Sequence, residues 1–161
     1  MLKNKYTMLA IVAGLIIFFD QISKAYIVHY LPLHHSIVII PGFFDITHIH
    51  NPGGAFGLMA NLSSAMRTIL FLFISSLAVG LIFYFYKKTP GTHPFLAAAF
   101  ALIFGGAIGN LIDRVRFGIV VDFLDFYIGN LHWPAFNIAD SAITVGIFIF
   151  VYHLLFKKMP A

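Results

Sequence analysis

Residues 94–116 read PFLAAAFALIFGGAIGNLIDRVR, and this stretch decides the fold. From Pro94 to Ile112 it carries no charged side chain. A helix needs about 20 mostly apolar residues to cross a bilayer, so the segment reads as a span. Ala101, Gly105 and Gly109 recur every four residues, and small residues at that spacing let helix backbones approach closely. Gly106, Asn110 and Arg114 form a second row, with Asp113 beside it. Tight packing accounts for the glycines. It accounts less well for an amide and a carboxylate at the helix end, where polar groups are costly.

Working outward, three more apolar runs qualify as spans, at about 6–28, 65–86 and 138–156. The chain of 161 residues is 60% hydrophobic and 10% charged, whereas soluble domains are about 45–50% apolar and about a quarter charged. The expected architecture is an all-α membrane protein with four transmembrane helices and a small extracytoplasmic β-rich subdomain. Residues 1–161 form a single integral membrane domain on this reading, with outer loops at about 29–64 and 113–137. In the first loop, Ile37 to Ile40, then Pro41-Gly42, then Phe43 to His50 read as two short strands around a turn. Lys3 and Lys5 before the first run resemble the start of a secretory signal. The run is too long for one and no small-residue cleavage site follows Asp20, so it is kept as a retained helix.

Lysine placement orients the bundle. Lys3 and Lys5, Lys87 and Lys88, and Lys157 and Lys158 lie just beyond helix ends on one side, taken as cytoplasmic; Lys24, Arg67, Arg114 and Arg116 fall near the other. The net charge of +4 is thus spread over helix ends and makes no basic patch of the kind that binds nucleic acid. Cysteine is absent, which removes disulfides, thiolate metal sites and cysteine nucleophiles together. All six acids are aspartates.

Four of those six, Asp20, Asp113, Asp122 and Asp140, map to the outward helix ends or the adjoining loop. In a four-helix bundle these ends can converge into one cluster of carboxylates at one depth. Asp20, Ser23 and Lys24 share a helix face, and Asp20 with Lys24 reads first as an internal pair anchoring the helix end. Asp140 lies in the first turn of the fourth span, where the helix dipole favours an acid; Asn137 is three residues before it and can face the same interior. Two carboxylates brought together cannot both ionise easily, so one proton is shared. The ionised one can take a proton from water while the protonated one polarises a carbonyl, as in aspartic proteases.

Other chemistries fit less well. Ser23 beside Lys24 invites a serine–lysine peptidase, but adjacent helical residues point apart. His48 and His50 share a strand face, yet no catalytic metal motif accompanies them. A small transporter or channel also places acids in membranes, usually near the midplane and with broken helices or repeats, and neither is evident.

The chain resembles the bacterial lipoprotein signal peptidase family, also called signal peptidase II. The likeness covers nearly the whole length. It rests on Asp20-Gln21-Ile22-Ser23-Lys24, Asn51-Pro52-Gly53-Gly54-Ala55-Phe56-Gly57, Gly109-Asn110-Leu111-Ile112-Asp113-Arg114, Val121-Asp122-Phe123 and Phe136-Asn137-Ile138-Ala139-Asp140. Trp133-Pro134 departs from an expected Phe-Pro. The resemblance implies an aspartyl endopeptidase of the bacterial inner membrane, with both termini cytoplasmic and the active site near the outer face. It would cut the signal peptide from prolipoproteins before a diacylglyceryl-modified cysteine. It also implies a catalytic pair of Asp122 and Asp140. Asp20, Asn51, Gly53, Asn110, Arg114 and Asn137 would bind substrate or support the site, and Lys24 and Asp113 would be structural polar residues. Neither metal nor organic cofactor is expected. The expected partners are lipid-modified prolipoproteins, membrane lipids and cyclic peptide inhibitors of the globomycin type, with the enzyme a monomer.

Overall fold

The computed structural model describes residues 4–53 and 63–156. Lys3, Lys157 and Lys158, and Gly54 to Gly57 of the glycine-rich stretch, lie outside the described residues. Among the described residues, four helices are long and apolar enough to cross a membrane. They are α1 (Lys5–Tyr30), α2 (Ser64–Lys88), α3 (Pro94–Phe117) and α4 (Ile138–Phe156). Four strands, β1 (Ser36–Ile40), β2 (Phe44–Asn51), β3 (Val120–Ile128) and β4 (Leu131–His132), form one sheet in the order β1-β2-β3-β4. All its pairings are antiparallel. The molecule is a mostly helical membrane protein with a small β subdomain.

Helix α3 is the hub and packs against each of the other three helices. Its small residues make this possible. A Cβ on Gly105 would stand 2.9 Å from the Ala13 Cα of α1, and one on Gly106 would collide with the Ala139 carbonyl of α4. The exposure pattern is inverted relative to a soluble protein. Asp20 and Asn137 are 0% exposed, while Phe95 is 77% exposed. Lipid is as apolar as these side chains, so nothing drives them inward, whereas each polar group must find a protein partner.

Lys5 ties one end of the bundle together. Its Nζ donates to the carbonyls of Lys87 at 2.8 Å and Thr89 at 2.9 Å, joining the start of α1 to the end of α2. At the other end, α3 runs on to Phe117, so Asp113 and Arg114 sit on its last turns and not in a loop beginning near residue 113. The extension is tolerated because Asp113 is paired there with Lys24 at 2.9 Å. Gly118 then stops the helix at φ +73°, in the left-handed region, with its N–H on the Arg114 carbonyl.

The sheet sits over this second end. Residues 120–128 are a strand, which puts Asp122 opposite Ile49 of β2, and Asn51 opposite Val120. Phe136, just before α4, is stitched to β3: its carbonyl accepts from Phe123 at 3.0 Å and Leu124 at 2.8 Å, and its N–H donates to the Leu124 carbonyl. This stitch brings the start of α4 alongside Asp122. β1 is exposed along its whole length although it reads Ile37-Val38-Ile39-Ile40 in its centre.

Candidate active site

Asn137-Ile138-Ala139-Asp140 is a reciprocal cap on α4. The Asn137 Oδ1 accepts from the Asp140 N–H at 2.9 Å, and Asp140 Oδ2 accepts from the Asn137 N–H at 3.3 Å. Between them, the Ala139 N–H donates to Asp20 Oδ1 at 3.0 Å. Free N–H groups of a first turn favour negative charge, so α4 attracts two carboxylates to its start.

Asp122 is 2% exposed and held by two amides. Asn137 donates to its Oδ1 at 2.7 Å and Asn51 donates to its Oδ2 at 2.9 Å. Asn51 is itself oriented, because its Oδ1 accepts from the Gly53 N–H at 2.9 Å. Gly53 holds φ +85° in that turn, and a Cβ there would run into the Phe71 ring. Both the turn and the close approach require glycine. Asp140 Oδ1 accepts from Asn110 Nδ2 at 2.7 Å, and Asn110 Oδ1 accepts from Asn137 Nδ2 at 3.2 Å. A continuous path of hydrogen bonds therefore runs from Asp122 through Asn137 and Asn110 to Asp140.

Beneath this path lies one buried cation. Lys24 Nζ reaches Asp20 at 2.8 Å, Asp113 at 2.9 Å and Asn110 at 3.0 Å. Its three protons are matched by three acceptors from two helices. Asp113 Oδ2 also accepts from the Val121 N–H at 3.2 Å, which pins β3 one residue before Asp122. Arg114 lies at the edge of the cluster. It donates to the Asn110 carbonyl at 3.3 Å, and its guanidinium stands 5.9 Å from the centre of the Phe71 ring.

Burial pushes the Asp122 carboxyl up to about 6, and the charge of Asp140 adds to the rise; the bonds from Asn51 and Asn137 and the charge of Lys24 oppose it. An acid in that range can exchange a proton near neutral pH, while a neighbouring carboxylate acts as base.

The structure thus joins Asp20, Lys24, Asn51, Asn110, Asp113, Asp122, Asn137 and Asp140 in one network, with Gly53 and Arg114 on its border. Gln21 belongs to it as well and was missed from sequence. Its Nε2 donates to Asp113 at 2.9 Å, and to Asp20 and the Gly109 carbonyl, each at 3.2 Å. The available signal was an amide inside an apolar run. Ser23 is elsewhere engaged, its hydroxyl on the Asp20 carbonyl at 2.9 Å. Asp125 contacts His132 at 3.0 Å, away from the cluster. His48 is buried with Nδ1 2.7 Å from the Leu31 carbonyl, while the neighbouring His50 is exposed.

Fold and site together define a polytopic membrane enzyme whose buried carboxylates gather at one end of the bundle. Residues 12–156 match the family described as Signal peptidase (SPase) II. The chain is 57% identical over 152 residues to the lipoprotein signal peptidase of Desulforapulum autotrophicum, covering 94% of each chain. It is 43% identical to that of Syntrophus aciditrophicus, covering 98% of each. Among solved structures it is similar to a bacterial membrane enzyme determined by the in meso method, with TM-score 0.82 and 34% identity over 94% of this chain and 95% of that one. This chain belongs to the signal peptidase II family and is a multi-pass membrane peptidase.

Proposed function

We propose that this protein is an aspartyl endopeptidase that removes the signal peptide from diacylglyceryl-modified prolipoproteins, cutting on the N-terminal side of the lipidated cysteine. The observation that carries the reading is the double grip of Asn137, whose amide nitrogen holds the Asp122 carboxylate while its oxygen caps the helix presenting Asp140. That grip links two carboxylates from two different elements. The names of the relatives supply the substrate class.

In this mechanism Asp122 carries the shared proton, its carboxyl being raised by burial to about 6. It donates a hydrogen bond to the scissile carbonyl oxygen. Ionised Asp140 takes a proton from a water as the water attacks the carbonyl carbon. As the bond forms, Asp122 gives its proton to the carbonyl oxygen, making a tetrahedral diol. On collapse one diol hydroxyl returns its proton to Asp122, the C–N bond breaks, and the proton held by Asp140 passes to the departing amine nitrogen. Asn51 and Asn137 orient Asp122, Asn110 orients Asp140, and Arg114 faces the incoming peptide backbone. Asp20, Lys24 and Asp113 form the ion-paired base on which the pair rests.

The substrate reaches this site laterally, as a lipid-bearing helix at the outer face of the bacterial inner membrane. Both termini are then cytoplasmic, the working unit is one chain, and cyclic peptides of the globomycin type compete for the same cavity. A transporter would place its acids near the midplane of broken helices. Here the carboxylates gather at one end and the four helices are unbroken along their described lengths, which favours the peptidase. The test is cleavage of a diacylglyceryl prolipopeptide by purified protein in detergent, read by product mass. Asp122→Asn and Asp140→Asn, each accumulating in the membrane, should give no product. Near wild-type cleavage by either variant would remove the dyad.

A further inference from the structure

A large cavity lies away from the carboxylate cluster. It has a volume of about 820 Å³ and lies at the opposite end of the bundle, between the start of α3 and the last turns of α4. Thr92, His93 and Phe95 form one wall and Phe148, Tyr152 and His153 the other. The volume falls in the range of small-ligand sites, roughly 300–1,000 Å³.

Its two halves differ in chemistry. Phe148 and Tyr152 are one turn apart on α4 and give an apolar strip continuous with the lipid-facing surface of that helix. The rim is polar. His93 and His153 stack edge to face with ring centres 5.4 Å apart. His153 is 7% exposed, and its Nε2 is buried with no hydrogen-bond partner among the described residues. A buried polar atom without a partner is rare in native proteins and calls for a ligand or an ion. The same rim holds the first turn of α3. His93 is its N-cap residue, and no side chain caps that turn. A helix start with uncapped N–H groups favours an anion. Lys87 and Lys88, exposed at the end of α2, add positive charge to this end of the bundle.

We infer that this cavity binds an anionic phospholipid of the leaflet facing away from the carboxylate cluster. The phosphate sits at the start of α3 and accepts from His153 Nε2, and an acyl chain lies along Phe148 and Tyr152. The uncapped first turn of α3, the positive charge at this end of the bundle and the apolar strip together select an anionic lipid over a free ion. The inference is independent of the catalytic assignment.

The experiment is titration of the intact protein in a neutral detergent with phosphatidylglycerol, phosphatidylcholine or glycerol phosphate, read by native mass spectrometry and melting temperature. Phosphatidylglycerol should bind and raise the melting temperature, and the other two should do neither at equal concentration. His153→Phe should weaken phosphatidylglycerol about tenfold, the effect of losing a hydrogen bond to a charged group. His153→Gln, which keeps a donor, should bind at near wild-type strength. His93→Ala is a second probe should His153→Phe fold poorly, and it should also weaken binding. Prolipopeptide cleavage in detergent should be unchanged in all three variants. Equal binding of phosphatidylcholine, equal binding of glycerol phosphate, or full phosphatidylglycerol binding by a folded His153→Phe protein would each overturn the assignment.

Discussion

Asn137 and Asp122 stand 15 residues apart in sequence and are joined by a 2.7 Å hydrogen bond between two fully buried side chains. The same amide also caps α4, so structure and function meet in one residue and can be pulled apart by substitution. Asn137→Ser keeps an N-cap oxygen, because serine caps nearly as well as asparagine. It loses the nitrogen that grips Asp122. We predict a melting temperature close to wild type with turnover lowered about 10- to 100-fold, the effect of a misplaced reacting group. Asn137→Ala should lose both, with the cap contributing about 1 kcal/mol of the destabilisation. Full specific activity in Asn137→Ser would leave Asn137 as a helix cap and nothing more.

Asp125→Asn separates the two acids of β3. Residues three apart on a strand point to opposite faces. The structure agrees, with Asp125 turned to His132 and Asp122 turned to Asn137 and Asn51. Cleavage by Asp125→Asn should stay within about twofold of wild type, as for substitutions outside buried networks. An Asp125→Asn enzyme as inactive as Asp122→Asn would mean that β3 contributes the wrong partner to the proposed pair.

Much of this was legible in the sequence, and the physical reason is the membrane. Apolar runs mark spans without ambiguity because hydrocarbon tolerates no unpaired backbone. Each aspartate outside the clear loops then had to have a partner. The Asp20–Lys24 pair was readable from its one-turn spacing. Its extension to Asp113 and Asn110 on another helix was not, since nothing in a sequence states which helix faces which. The continuation of α3 to Phe117 was hidden for the same reason: Asp113 reads as a loop acid until Lys24 is seen beside it. Gln21 was overlooked because an isolated amide has no spacing pattern, and its three acceptors come from three positions far apart in the chain or adjacent to it. Asp122 and Asp125 differ by face, and only the strand assignment of residues 120–128 tells them apart.

The buried cation gives a stability prediction. The side chains of Lys24, Asp20 and Asp113 are 4%, 0% and 2% exposed. Lys24→Met leaves two carboxylates buried without their countercharge, which costs about 3–5 kcal/mol. The variant should melt well below wild type or fail to accumulate. Adding Asp20→Asn and Asp113→Asn to it should recover much of the loss, because neutral amides of the same shape need no countercharge. A Lys24→Met protein of unchanged melting temperature would show that the two carboxylates do not depend on Lys24 for stability.

The last prediction concerns pH and follows from the Asp122 carboxyl being held at about 6. As the proposed acid, Asp122 must be protonated to polarise the scissile carbonyl. Activity on free enzyme and substrate, kcat/KM, should therefore fall as pH rises through about 6, giving the alkaline limb of the profile. Asn51 tunes that limb. Its amide donates to Asp122 at 2.9 Å, and a hydrogen bond to the charged form lowers a carboxyl's pKa. Removing it with Asn51→Leu takes away a stabiliser of the carboxylate and leaves the burial that disfavours it. The pKa rises, Asp122 stays protonated to higher pH, and the alkaline limb moves in that direction. Maximal activity should drop at the same time, because Asp122 loses one of its two positioning bonds. The position of the limb is the informative quantity, since a merely structural Asn51 would lower the whole profile without moving it. The measurement is kcat/KM for one lipidated prolipopeptide from pH 4 to 9 in one detergent, on wild type and Asn51→Leu. An alkaline limb unmoved by Asn51→Leu, or moved to lower pH, would assign that limb to a group other than Asp122 and reverse the proton assignment within the pair.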